Sequence, residues 1–352
     1  MPLRMRRSIV KTLDSIVEKA LSRRTFLAGS GAVAASAAIV GCGGGGSTTT
    51  VPTTPAPTTP AFSDADVLNF ALNLEYLEAQ FYLYAATGSG LATADTAAPS
   101  GYTGSYTAGT VTLGSAAAVP GLTAAEQNIL NEIAYEEQTH VQFLRKALGS
   151  AAVPMPNIDL SFFGPLAVAA GITTAATGTG SFNPFSSFDY FLVGAFIFED
   201  VGVTAYSGAA PLITAAGVTA GYLTAAAGIL AVEAYHAAYV RTSLTGRAIA
   251  AGSAANYPYL GVANQVEALR ATLTVGNSAA PSTSGSVETL LVLPTSTTMA
   301  SAIVAADPTT AVGFARNVNQ VHHIVYGSPT VGVAKGGFFP NGTNSIFATT
   351  TA

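Results

Sequence analysis

Four glutamates stand at positions where helices of a packed bundle require apolar side chains. Glu75 lies in the row Leu68, Leu72, Glu75, Ala79, Tyr82, and Glu137 in the row Leu130, Ile133, Glu137, Val141, Leu144. Glu199 follows Phe191, Leu192 and Ala195 and precedes Gly202 and Tyr206; Glu233 lies between Ile229 and Ala237, Val240, Leu244. Each row advances by three or four residues, the spacing that keeps side chains on one face of a helix. Burying an ionised carboxylate costs several kcal/mol even after relaxation, against a total domain stability of about 5–15 kcal/mol. Four such groups need positive partners, and the chain has few to give. Only 9% of its 352 residues are charged. Seven of the 14 Lys and Arg lie in the first 24 residues, and none of the other seven lies on these rows beside a glutamate.

Two of the rows supply more than a carboxylate. They read Glu137-Gln-Thr-His140 and Glu233-Ala-Tyr-His236, so each places Glu and His at i and i+3 on one helical face. Two divalent cations would balance four carboxylates, with two neutral imidazoles completing the ligand set. One Glu from each of two helices and one Glu-x-x-His from each of the other two is the arrangement of di-iron and di-manganese carboxylate bundles. The pattern therefore implies two divalent ions, iron or manganese.

The rows also repeat. Glu75 has Tyr82 seven residues on, as Glu199 has Tyr206; Arg145 and Leu148 follow His140 at the offsets where Arg241 and Leu244 follow His236. Some neighbours stay open. Glu78 is one turn from Glu75 and is an alternative or additional ligand. Glu136 and Asp200 adjoin ligands but point about 100° away, toward solvent or toward an outer layer around the site. Glu132 reads as a solvated helix charge, and Tyr135 and Tyr235 read as packing residues.

The spacing predicts an all-α fold with helices over 63–86, 123–148, 184–209 and 219–244. Ser63 and Asp64 are cap candidates for the first, Thr123 with Glu126 forms a capping box for the second, and Gly88 and Gly149 are stops. Beyond 245, helices are expected over 256–273 and 307–326, the latter with Asp307 as cap and Pro308 in the first turn. His322 and His323 are adjacent and so point in different directions on a helix, which argues against a shared metal site there. The organisation expected is a signal over 1–42, a linker over 43–61, a bundle over 62–245 and a mixed helical and loop extension over 246–352 that packs on the bundle.

The chain begins with a basic region, and Arg23-Arg24-Thr-Phe-Leu precedes an apolar Ala/Gly/Val run ending in Ile39-Val40-Gly41-Cys42. This pattern is that of an export signal. The paired arginines resemble a twin-arginine signal, and the last four residues resemble a bacterial lipobox that would leave Cys42 as a lipid-bearing first residue. An uncleaved anchor and simple cleavage near the Ala-rich run are the alternatives. The 19 residues of 43–61 are a Gly/Thr/Pro tether that reaches roughly 60 Å at about 3.3 Å per residue. The expected localisation is the periplasm or cell envelope, with the membrane as partner through Cys42.

Composition removes several other classes. The mean hydropathy is +0.42, but much of it comes from alanine. Seven basic against 17 acidic residues after Cys42 give that part a formal charge of −10, which excludes the basic surface a nucleic acid needs. One cysteine excludes an internal disulfide framework and Cys-ligated metal clusters. Association of copies into a homo-oligomer is left open.

The runs Leu72-Asn-Leu-Glu75-Tyr-Leu-Glu78-Ala79 and Glu137-x-x-His140-Val-Gln-Phe-Leu-Arg145, with Gly336-Gly-Phe-Phe-Pro-Asn-Gly342, resemble the ferritin-like superfamily. Within it, the similarity is to the branch containing the plant desiccation-related proteins and their bacterial relatives. The resemblance implies a ferritin-like four-helix bundle and assigns Glu75, Glu137, His140, Glu199, Glu233 and His236 as metal ligands. Tyr82 and Tyr206 match a tyrosine position near the site in rubrerythrin-type relatives and are the candidate catalytic side chains. No Cys-x-x-Cys module accompanies them. The activity implied is a reaction with dioxygen or peroxide, and the alternative is a stress-protective or structural envelope protein without turnover.

Overall fold

The computed structural model describes residues 62–114, 118–172, 182–274, 288–293 and 303–350. The paired arginines, Cys42 and the linker lie outside the described residues.

Four long helices carry the glutamate rows: α1 (Asp64–Thr87), α2 (Ala124–Leu148), α3 (Phe188–Ala209) and α4 (Tyr222–Ala250). Their ends follow local chemistry. Ser63 caps α1 in a reciprocal box with Asp66, and Gly88 ends it with φ 75°, a left-handed conformation that glycine adopts without a Cβ penalty. Thr123 and Glu126 form the expected box at α2. The start of α3 is Phe188 rather than 184, because the Ser187 hydroxyl accepts from Tyr190 N and fixes the cap there. Six residues beyond 244 belong to α4, which follows a short helix, Ala215–Ala220, capped by Thr214.

Side-chain contacts give the helix directions. Gln127 donates to Ala86 O at one end of α1 and α2 while Arg145 donates to Tyr76 at the other, so the two run antiparallel. Asp189 pairs with Arg247 and Asp200 with Arg241, which makes α3 and α4 antiparallel. Glu126 with Arg247, and His140 with Glu233, set α2 against α4 in the same sense. Tyr82 meets Glu199 and Tyr206 meets Glu75, which does the same for α1 and α3. Every neighbouring pair is antiparallel, as in a four-helix bundle. The apolar rows fill its interior: Leu72, Leu130, Leu192, Val240 and Leu244 have no exposed surface.

Among the described residues, α4 is long and apolar enough to cross a membrane by length and composition. Its Glu233, His236 and Arg241 are buried in the bundle, and the charge-free run from 201 to 232 is broken between α3 and α4 by a turn at Ala210–Leu212 and the short helix.

Beyond α4, α5 (Pro258–Leu273) packs against α3 and α4, and α6 (Val318–Val325) against α3 and α5. The cap of the helix expected over 307–326 comes ten residues late, at Asn317. Asp307 accepts from Thr309 N and Thr310 N, Ala311 takes φ 57°, and the chain folds back so that Asp307 N donates to Val312 O. The short side chain has captured the backbone in a turn instead of capping a helix; the cap of α6 is Asn317. Phe338 and Phe339 are fully buried, and Phe338 meets Phe162, Phe163 and Phe198 edge-on at 5.2, 4.9 and 5.0 Å. His322 and His323 are also fully buried. Burial drives His322 down to about 3, and its ring stacks on Tyr326 at 5.1 Å, so it is a neutral core side chain.

Candidate metal centre

The four rows bring all six expected ligands to one place in mid-bundle. Glu75, Glu137, Glu199 and Glu233 are 0–1% exposed, His140 7% and His236 4%. Ligand atoms of Glu75, Glu137, His140 and Glu233 lie within 4.8 Å of one another, and so do those of Glu137, Glu199 and His236. Glu137 belongs to both groups and stands between them.

Both imidazoles turn Nδ1 into this cage. His140 Nδ1 is 3.2 Å from Glu75, 3.5 Å from Glu233 and 3.7 Å from Glu137. His236 Nδ1 is 3.0 Å from Glu137 and 3.7 Å from Glu199. None of these approaches is aligned as a hydrogen bond. Glu75 Oε2, Glu199 Oε2, both oxygens of Glu137 and of Glu233, and the two Nδ1 atoms are buried without a hydrogen-bond partner. Eight buried polar atoms in one spot without an aligned hydrogen bond depart from the rule that buried polar atoms are satisfied, and cations seated among them would satisfy all eight. The donor set, carboxylate oxygen and imidazole nitrogen, suits iron or manganese, and the residues fit a dimetal site.

Electrostatics carry the same message. Burial pushes Glu75, Glu199 and Glu233 above the usual carboxylate range, Glu233 to about 8 with Glu137 adding repulsion. Burial acts the same way on Glu137, but the flanking imidazoles outweigh it and hold that carboxyl at about 2. Burial also opposes charge on the imidazoles; Glu75 chiefly overrides it at His140, and Glu199 at His236, which is raised to about 11. Free of cations, the cage must hold protons where metals would sit, so metal binding displaces protons.

The two tyrosines do not enter the cage. Tyr82 donates to Glu199 and Tyr206 to Glu75, each across from its own helix. They hold ligand carboxylates and are fully or nearly fully buried. The sequence repeat thus becomes a reciprocal pair of cross-helix bonds.

The positions left open around the ligands take up distinct places. Glu78 is 5% exposed and is pushed well above the usual range by burial, then by repulsion from Glu233; it lies outside both groups of converging ligand atoms. Asp200 does not face solvent: it is buried and bonds Arg241 at 2.8 Å and Arg270 at 3.0 Å. Tyr135 and Tyr235 are exposed, not packed. Glu136 reaches across to His236 Nε2 at 2.7 Å. Gly202 was not singled out by the sequence reasoning; a Cβ there would collide with the Glu233 carboxylate and stand 3.2 Å from Glu78 Oε1. The available signal was the repeat itself, which sets Gly202 opposite Glu78.

Comparison with known proteins agrees with this geometry. The chain is 31% identical over 190 residues to the ferritin-like catalase Nec2 of Nesocodon mauritianus, covering 53% of this chain and 54% of that protein. It is 31% identical over 186 residues to the desiccation-related protein PCC13-62 of Craterostigma plantagineum, again covering 53% and 54%. The chain thus spans about half the length of the curated relatives it matches. No solved structure matches it significantly. The family profile described as ferritin-like domain matches residues 63–246, the stretch that holds all four glutamate rows, and the chain belongs to that family.

Proposed function

We propose that the protein is an exported, membrane-tethered oxidoreductase whose cage holds two iron or manganese ions and disproportionates hydrogen peroxide under oxidative or desiccation stress. The observation that carries this reading is the convergence of eight buried ligand atoms without hydrogen-bond partners. Peroxide is favoured over dioxygen on two grounds. One relative is named a catalase. The chain's only cysteine is Cys42, so it brings no Cys-ligated electron relay. Disproportionation needs none: one peroxide is reduced to water while a second is oxidised to dioxygen, two H2O2 giving two H2O and one O2.

When bound, the ions supply the redox couple and polarise the peroxide oxygens. The chain supplies the rest. Glu75, Glu137, His140 and Glu233 would hold one ion and Glu137, Glu199 and His236 the other, and the hydrogen bonds from Tyr82 to Glu199 and from Tyr206 to Glu75 orient those two carboxylates. Leu72 and Val240, one turn from Glu75 and His236 and fully buried, exclude bulk water. The tether reading rests on Cys42 closing the lipobox-like run ahead of a linker.

Peroxide loss and dioxygen release by the metal-loaded full chain test the activity together. The expected ratio is one dioxygen per two peroxides, abolished in Glu137→Ala/Glu233→Ala. Metal-loaded wild type that consumes peroxide no faster than this variant contradicts the reading and favours a protective protein without turnover, as the name of the desiccation-related relative suggests.

A further inference from the structure

The two halves of the bundle match at Glu75 and Glu199, Tyr82 and Tyr206, Glu137 and Glu233, His140 and His236. The match fails one residue before each Glu-x-x-His. Glu136 precedes Glu137, whereas Val232 precedes Glu233. Glu136 stands on α2, keeps 36% of its side chain exposed and places Oε2 2.7 Å from His236 Nε2. That nitrogen faces out of the cage, since His236 Nδ1 faces Glu137 and Glu199. At the equivalent place Val232 offers His140 no acceptor, and among the described residues no hydrogen bond holds the outer nitrogen of His140.

A carboxylate on the outer nitrogen of a ligating imidazole fixes its tautomer and ring orientation and makes the inner nitrogen a stronger donor; losing such a partner costs about 10–100-fold in metal affinity. Resting on the dimetal reading above, we propose that Glu136 is a positioning residue that acts through His236 and controls one of the two metal positions, that of Glu199 and His236, and not the other. The two positions are chemically unequal although the ligands repeat. The other break in the repeat, Glu78 opposite Gly202, does not compete with this assignment, because Glu78 lies outside both ligand groups.

Stepwise titration of the metal-depleted full chain with cobalt(II), followed by its visible absorption and by calorimetry, separates the two binding steps. Glu136→Ala is expected to weaken one step about 10–100-fold and to leave the other within about twofold. Glu136→Gln, equal in shape and neutral, should fall between. In a His236→Ala background, Glu136→Ala should add nothing, which a general loss of negative charge near the site would not reproduce. Equal weakening of both steps, no weakening, or an undiminished effect in the His236→Ala background overturns the assignment. Wild type that binds no cobalt overturns the dimetal reading and this inference with it, whereas two wild-type steps indifferent to Glu136→Ala overturn this inference alone.

Discussion

At the scale of single residues, the cage is made of carboxylates whose burial costs several kcal/mol each unless a positive partner offsets it. A glutamate in an apolar row is therefore conspicuous in the sequence, and Glu75, Glu137, Glu199 and Glu233 all converge. What does not cost anything in sequence stayed invisible. Gly202 is one of 36 glycines, and only the close approach of Glu233 gives it meaning. For Glu136 the sequence left solvent and an outer layer around the site both open, because its partner sits 100 residues away on another helix. Gly202→Ala follows as a sharp case. Alanine favours the interior of α3 by roughly 0.5–1 kcal/mol, yet its methyl must displace the Glu233 carboxylate. The metal-depleted variant should therefore unfold at an equal or higher temperature than wild type while losing at least about tenfold in metal affinity, an estimate from the cost of disturbing ligand geometry. Thermal unfolding and metal titration on the same preparation check both halves, and unchanged affinity would contradict the account of Gly202.

At the scale of elements, capping and periodicity located the four bundle helices, and their failures have local causes. Ser187 moved the start of α3, and the turn at Asp307 replaced the first half of an expected helix. A buried tie between bundle and extension was not legible at all, because it is made of charges far apart in the chain. Arg241 on α4, Arg270 on α5 and Arg316 are 0–2% exposed. Asp200 on α3 pairs with Arg241 and Arg270, and Glu288 with Arg270 and Arg316. Asp200 adjoins the ligand Glu199 yet bonds away from the cage, so this network anchors α3 between ligands and extension. Removing one partner of a buried pair costs about 3–5 kcal/mol, because an uncompensated charge stays behind. Asp200→Ala should lower unfolding free energy by roughly that amount, and adding Arg241→Ala should cost less than the sum of the single changes. Urea denaturation of the double-mutant cycle reads this directly; additivity would show that the pair is not coupled.

At the scale of the whole molecule, scarcity of charge organises the chain. With 19 acidic residues in all, four placed together in a dry core dominate what the protein can bind. Reciprocal tyrosine bonds, antiparallel pairs and a Glu137 set between two imidazoles make a cage to which each helix contributes. The central claim is that this cage is built for two metal ions. Elemental analysis of the full chain, produced in medium supplemented with iron and manganese, tests it most directly. The account predicts about two iron or manganese ions per chain in the wild type, and loss of both in Glu137→Ala/Glu233→Ala; fewer than about one ion per chain, unchanged by those substitutions, would contradict it.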